Sequence, residues 1–92
     1  MSSLNGYHNA VCRWLGELGI SYMEEYLVEP YSLDIFLPEL FLGVEVDGPS
    51  HNRKHDAIRD EKIMQQYEIP IIRIKVGTPK KYAMEKILGS YK

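Results

Sequence analysis

Near the N-terminus, Tyr7, Ala10, Val11, Trp14, Leu15 and Leu18 recur at steps of three and four and form one apolar stripe. This spacing predicts a helix over 5–18, with Asn5 as its N-cap and Gly19 as the left-handed residue that ends it. The period then falls to two. Residues 20–28 alternate imperfectly, as expected of an edge strand or one with a wet face, and Glu29-Pro30 breaks the run. Residues 31–37 alternate more cleanly, with Tyr31, Leu33, Ile35 and Leu37 on one face and Ser32, Asp34 and Phe36 on the other. After a Pro38-Glu39 turn, residues 40–47 return as a third strand, with Leu42, Val44 and Val46 opposite Gly43, Glu45 and Asp47. Helical spacing resumes over 53–67, where Ala57, Asp60, Met64 and Tyr67 share a side and Ile58 and Ile63 flank it. Residues 71–76 are almost continuously apolar, which predicts a central strand. Thr78 then caps a last helix that Pro79 opens and Gly89 ends. The order is α-β-β-β-α-β-α. A helix between the last two strands implies that they pair in parallel, so the expected fold is an α/β domain with a mixed four-stranded sheet flanked by helices.

Composition narrows the classes. With 92 residues, 45% apolar and 26% charged, the chain has the make-up of one ordinary globular domain. No apolar run approaches the roughly 20 residues of a membrane span, so no membrane partner is expected. The first residues lack the basic and apolar parts of a signal peptide, so the expected location is cytoplasmic. A single cysteine, Cys12, excludes an internal disulfide and a cysteine-rich zinc cage, and its apolar neighbours mark it as a core filler. The net charge of −2 argues against a chain that holds nucleic acid by its own field, since such domains usually have pI above about 9. Carboxylates that bind a divalent cation weaken this objection, because the cation offsets them in the working protein. The basic residues gather late, beginning with Arg53, Lys54, Arg59 and Lys62.

Candidate chemistry lies where the third strand ends. Glu45 and Asp47, two residues apart, point to one face of an otherwise apolar strand, and an unpaired buried carboxylate costs several kcal/mol or shifts its pKa. A hairpin centred between Glu39 and Leu40 pairs positions whose numbers sum to 79, which sets Asp34 across from Glu45. Three carboxylates then meet at the open end of the hairpin. Oxygen donors of this kind suit Mg²⁺ or Mn²⁺. Such a metal with cationic side chains nearby is a layout for phosphodiester hydrolysis, in which His51 acts as base and Arg59 and Lys62 face phosphate oxygens. Blander readings stand beside these. His51 could be a loop residue that caps the next helix, and His8 a partly exposed helix histidine. Asp56 could serve only the helix dipole, and the basic helix residues could be solvated partners of Asp60 and Glu61.

The run from Asp34 through Pro38-Glu39 to Glu45-Val46-Asp47-Gly48 and His51 resembles the Vsr-like branch of the PD-(D/E)XK nucleases. That branch includes very-short-patch-repair endonucleases and the EDxHD class of phage intron homing endonucleases. The segment from Asp56 to Asp60, followed by residues 66–74, resembles the same group. The resemblance implies a restriction-endonuclease-like core and Mg²⁺- or Mn²⁺-dependent cleavage of double-stranded DNA. It implies Asp34 as central metal ligand, with Glu45, Asp47 and the Val46 carbonyl as further ligands. His51 would orient or deprotonate the attacking water, and Asp56 would orient His51 or His55. Arg53, Lys54 and Arg59 are the candidate DNA-phosphate contacts.

Asp47 occupies the position where that signature usually has lysine, so the lysine's role passes to His51 or Lys62. The first helix of related domains often carries a glutamate towards the site; here it offers His8 or Glu17. In that place His8 would transfer a proton or contact phosphate. The zinc-binding cysteines of the repair enzymes are absent, which favours a homing or stand-alone nuclease. The expectation is that residues 1–92 form the catalytic domain of a longer homing endonuclease, of a phage or its bacterial host. Its target choice would come from a separate DNA-binding region or from a homodimer. The alternatives are an inactive nuclease-fold module for DNA binding or assembly, and a nuclease acting on RNA or in DNA repair.

Overall fold

The computed structural model describes residues 3–49 and 52–89, with side chains from residue 6 onward. Three helices and four strands follow one another as α1 (Ser3–Glu17), β1 (Met23–Val28), β2 (Tyr31–Leu37), β3 (Leu42–Asp47), α2 (Arg53–Tyr67), β4 (Ile71–Lys75) and α3 (Lys80–Gly89). The sheet has the order β1-β2-β3-β4. Its first two pairings are antiparallel, and β3 and β4 run parallel across the α2 crossover. This is the expected order and mixed sheet.

Two layers of helix cover the two faces. On one, Val11, Cys12 and Leu15 of α1 and Ala83, Met84 and Ile87 of α3 pack on Ile35, Leu37, Val44 and Ile74. On the other, Ile63 of α2 packs with Val28, Leu33, Phe36 and Ile69. Gly43 lies under α2, where a Cβ would come within 2.8 Å of Ile71 Cδ1 and 3.0 Å of Leu33 Cδ1. The missing side chain lets these two apolar residues close over the strand.

Several local expectations change. Helix α1 begins at Ser3, so Asn5 lies within the helix and not before it. Gly19 does end the helix, at φ 74°, and the amides of Gly19 and Ile20 bond the carbonyls of Gly16 and Leu15. Strand β4 lies at the sheet edge and not at its centre. Its run is apolar because Ile72 meets the α1/α3 core and Ile71 the α2 core. The Thr78 hydroxyl donates back to the Lys75 carbonyl at 2.7 Å, while Ala83 N–H bonds the Pro79 carbonyl to start α3.

The alternation of β2 is interrupted at Asp34. Leu33 packs under α2, whereas Ile35 and Leu37 pack on the opposite face. On the β1 side, Glu25 takes the left-handed region at φ 52° and drops out of the pairing between Glu24↔Ile35 and Tyr26↔Leu33. The strand turns over at the residue that matters most to the site.

Candidate active site

The β2–β3 hairpin pairs Leu37 with Leu42, Phe36 with Gly43 and Ile35 with Val44, the register expected from the turn. The ladder then gives way to side chains. Asp34 N–H donates to Glu45 Oε2 at 2.6 Å, and Val46 N–H donates to Asp34 Oδ2 at 2.9 Å. Two strands that part leave backbone donors in need of partners, and ionised carboxylates make short, strong ones. Each acid therefore locks the other's strand, and the pair forms a fork between β2 and β3.

Glu45 is 8% exposed. Burial pushes its pKa up to about 7; the hydrogen bond from Asp34 and the charges of Arg59 and Arg73 oppose this, and the Asp34 charge adds to it. Arg59 Nη1 lies 3.3 Å from Glu45 Oε1 and 3.4 Å from Asp60 Oδ1. Its guanidinium also bonds the Ser32 carbonyl and lies 5.6 Å from the centre of the Tyr31 ring. Held on four sides, Arg59 leans on Glu45 from α2.

Arg73 governs the other half of the site. It holds Asp60 with two bonds of 2.8 and 2.7 Å, donates to Asp47 Oδ1 at 2.9 Å, and lies 3.7 Å from Asp56. Burial lowers the Arg73 pKa, but the hydrogen bonds and charge of Asp60, with Asp47 and Asp56, outweigh it and leave the pKa raised. The register explains the meeting: Glu45 lies beside Arg73 and Asp47 beside Lys75 across the parallel pair. A cleft of about 990 Å³ opens from here, lined among others by Asp47, Arg53, Asp56, Arg73, Lys75 and Lys86.

Of the residues singled out by sequence, Asp34, Glu45, Asp47, Asp56 and Arg59 come together in this region, and Val46 supplies an amide to Asp34. Arg53 lines the cleft, while Lys54 is exposed on the first turn of α2 without lining it. Lys62 lies apart, lining a different recess with Tyr31 and Gln66. His8 is on α1, where its Nε2 meets Glu24 Oε1 at 3.0 Å, and α1 packs on the sheet face away from α2. His51 lies outside the described residues. The N-cap of α2 is Asn52, whose side chain accepts from His55 N–H at 3.1 Å.

Asp60, Arg73 and Lys75 were not anticipated at the site. Arg73 carried a readable signal: it is a charge between isoleucines in a strand, as Glu45 is a charge between valines. The inward stripe of α2 is Asp56, Arg59, Asp60, Ile63 and Tyr67, all buried or half-buried, while Met64 and Ile58 are about half exposed at 48% and 47%. The face towards the sheet is charged in its first half and apolar in its second.

The chemistry of the donors fits a hard divalent cation. Asp34 and Glu45 offer oxygen donors fixed by backbone amides, and burial raises the Glu45 pKa. The fit rests on that pair. Asp47 is engaged by Arg73, and Asp34, Glu45 and Asp47 do not form a group with donor atoms all within 4.8 Å of one another.

Helices on both faces of a mixed sheet, in this order, with paired acids where two strands part, define an α/β fold with its candidate site at the open end of a hairpin. The structure is similar to the catalytic domain of the homing endonuclease I-Bth0305I, with a TM-score of 0.69 over 90% of this chain and 88% of that one, at 18% identity. No protein-family model matches the chain, and no curated protein matches it in sequence.

Proposed function

We propose that this chain is the catalytic domain of a divalent-metal-dependent DNA endonuclease, with a target-selecting region elsewhere in a homing endonuclease. The Asp34–Glu45 fork carries this reading, because it pairs two acids in a part-buried site beside a cleft whose lining includes Arg53, Lys75 and Lys86. The fold, shared with a homing endonuclease catalytic domain, supports it.

Asp34 and Glu45, with the Val46 carbonyl, are the residues that would hold Mg²⁺ or Mn²⁺. When bound, the ion polarises a phosphate oxygen and acidifies a water. Asp47, fixed by Arg73, would orient the attacking water. His51, four residues further along the sequence, would accept its proton, and Asp56 would align the histidine. Arg53, Lys75 and Lys86 draw the DNA backbone into the cleft, and Lys75, beside Asp47 in the register, takes the place first given to Lys62. Arg59 and Arg73 are positioning residues that hold the acids apart.

Supercoiled plasmid should be nicked in Mg²⁺ or Mn²⁺ and left intact in chelator. Asp34→Asn should lower the rate by about 10²–10³-fold, as loss of a metal ligand removes several kcal/mol of transition-state stabilisation. His51→Ala should slow nicking while leaving metal binding in place. One observation favours a second reading: Arg59 and Arg73 already set positive charge against Glu45 and Asp47, as an inactive DNA-binding module would need. Specific DNA binding without metal-dependent nicking would select it.

A further inference from the structure

His8 and Cys12 stand four residues apart on α1, so one helical turn stacks them on the same side. Glu24 of β1 comes to meet them. One donor atom from each, an imidazole nitrogen, the Cys12 Sγ and a carboxylate oxygen, lie within 4.8 Å of one another. The cluster belongs to the α1 side of the sheet, and the fork faces α2. Burial is graded across it. Cys12 is 5% exposed, while the side chains of His8 and Glu24 are 15% and 51% exposed. The thiol forms the floor and the carboxylate the open rim.

We propose that His8, Cys12 and Glu24 form a transition-metal site, distinct from the nuclease centre, that binds Zn²⁺ and leaves its fourth position to water. Thiolate, imidazole and carboxylate together select a borderline-soft ion over Mg²⁺. Tetrahedral zinc with ordinary bond lengths sets its donors roughly 3.3–3.7 Å apart, so the cluster needs to close only slightly. The His8–Glu24 contact is already at 3.0 Å. Burial, and then the Glu24 charge, push the Cys12 thiol up to about 11, so the metal-free thiol is protonated at neutral pH. Binding releases that proton, and any proton shared between His8 and Glu24, to solvent. The ion would tie α1 to the outer strand β1, which pairs with β2 alone among the described residues. Its role would be structural and independent of DNA cleavage.

The test is titration of the full chain, reduced, with Co²⁺ as a visible probe and then with Zn²⁺. One equivalent of Co²⁺ should give a thiolate charge-transfer band and tetrahedral d–d bands, and Zn²⁺ should erase both. Cys12→Ser should abolish the charge-transfer band. Glu24→Gln, at an exposed position that leaves the core intact, should weaken Zn²⁺ binding at least 10-fold and cancel a Zn²⁺-dependent rise in Tm. Asp34→Asn should retain the full thiolate spectrum, which separates this site from the fork. No saturable Co²⁺ binding, binding without the thiolate band, or unchanged affinity in Glu24→Gln and His8→Gln would overturn the proposal.

Discussion

Glu45 concentrates the energetics of the site in one residue. Its carboxyl titrates in the fold at about 7, against an ordinary value of 4.5, so the folded state holds the proton more tightly than the unfolded state does. Stability from this group is complete below about pH 4.5 and is lost as pH rises through 7, on the order of 3 kcal/mol across the window. Glu45→Gln should therefore leave the metal-free protein more stable than wild type at pH 8 and little changed at pH 4.5, by urea denaturation. If Glu45 holds a cation as proposed, saturating Mg²⁺ should remove the share of the pH dependence that Glu45 contributes, because the cation would displace its proton. Glu45 was legible in the sequence because an acid between valines is conspicuous, and its partner followed from the turn between Glu39 and Leu40. The turnover of β2 at Asp34 was not legible. A strict period of two placed Leu33 with Ile35, whereas the residue that bonds sideways to Val46 sends them to opposite faces.

At the scale of elements, α2 is held to the sheet by charge as much as by apolar contact. Only Ile63 of this helix is fully buried. Arg73 of β4 ties Asp56 and Asp60 of α2 to Asp47 of β3, so three elements converge on one guanidinium. Arg73→Met should cost about 1.5–3 kcal/mol by leaving acids without their donor. Arg73→Lys should recover only part of this, since an ammonium cannot offer the planar fork that grips Asp60 twice. Thermal denaturation of the three proteins at pH 7 would give this ranking; equal Tm values for Arg73→Met and wild type would contradict it. This arrangement escaped a reading of apolar periodicity because half of the inward stripe is charged. The edge position of β4 escaped it as well, since helices on both faces make an edge strand as apolar as a central one.

Across the whole molecule, a net charge of −2 conceals an uneven distribution. The acids of the fork and of α2 face arginines, while Arg53, Lys75 and Lys86 line the cleft. If these three meet phosphates, log K for DNA should fall with log salt at a slope of about −3. Replacing any one with alanine should reduce that slope by about 1 without changing sequence preference. Binding isotherms at several salt concentrations would read both; a slope that none of the three alters would move the DNA path elsewhere on the surface.

The unbroken strand order β1-β2-β3-β4 also has a kinetic consequence. The hairpin that joins Asp34 and Glu45 closes over 11 residues, whereas Arg73 reaches Asp47 only across 26. Short loops close first. The acid pair of the fork therefore forms ahead of the contact between Arg73 and Asp47. With the hairpin formed in the transition state, the pH dependence that Glu45 gives to stability should appear mainly in the folding limb of stopped-flow chevrons recorded at pH 6 and pH 8.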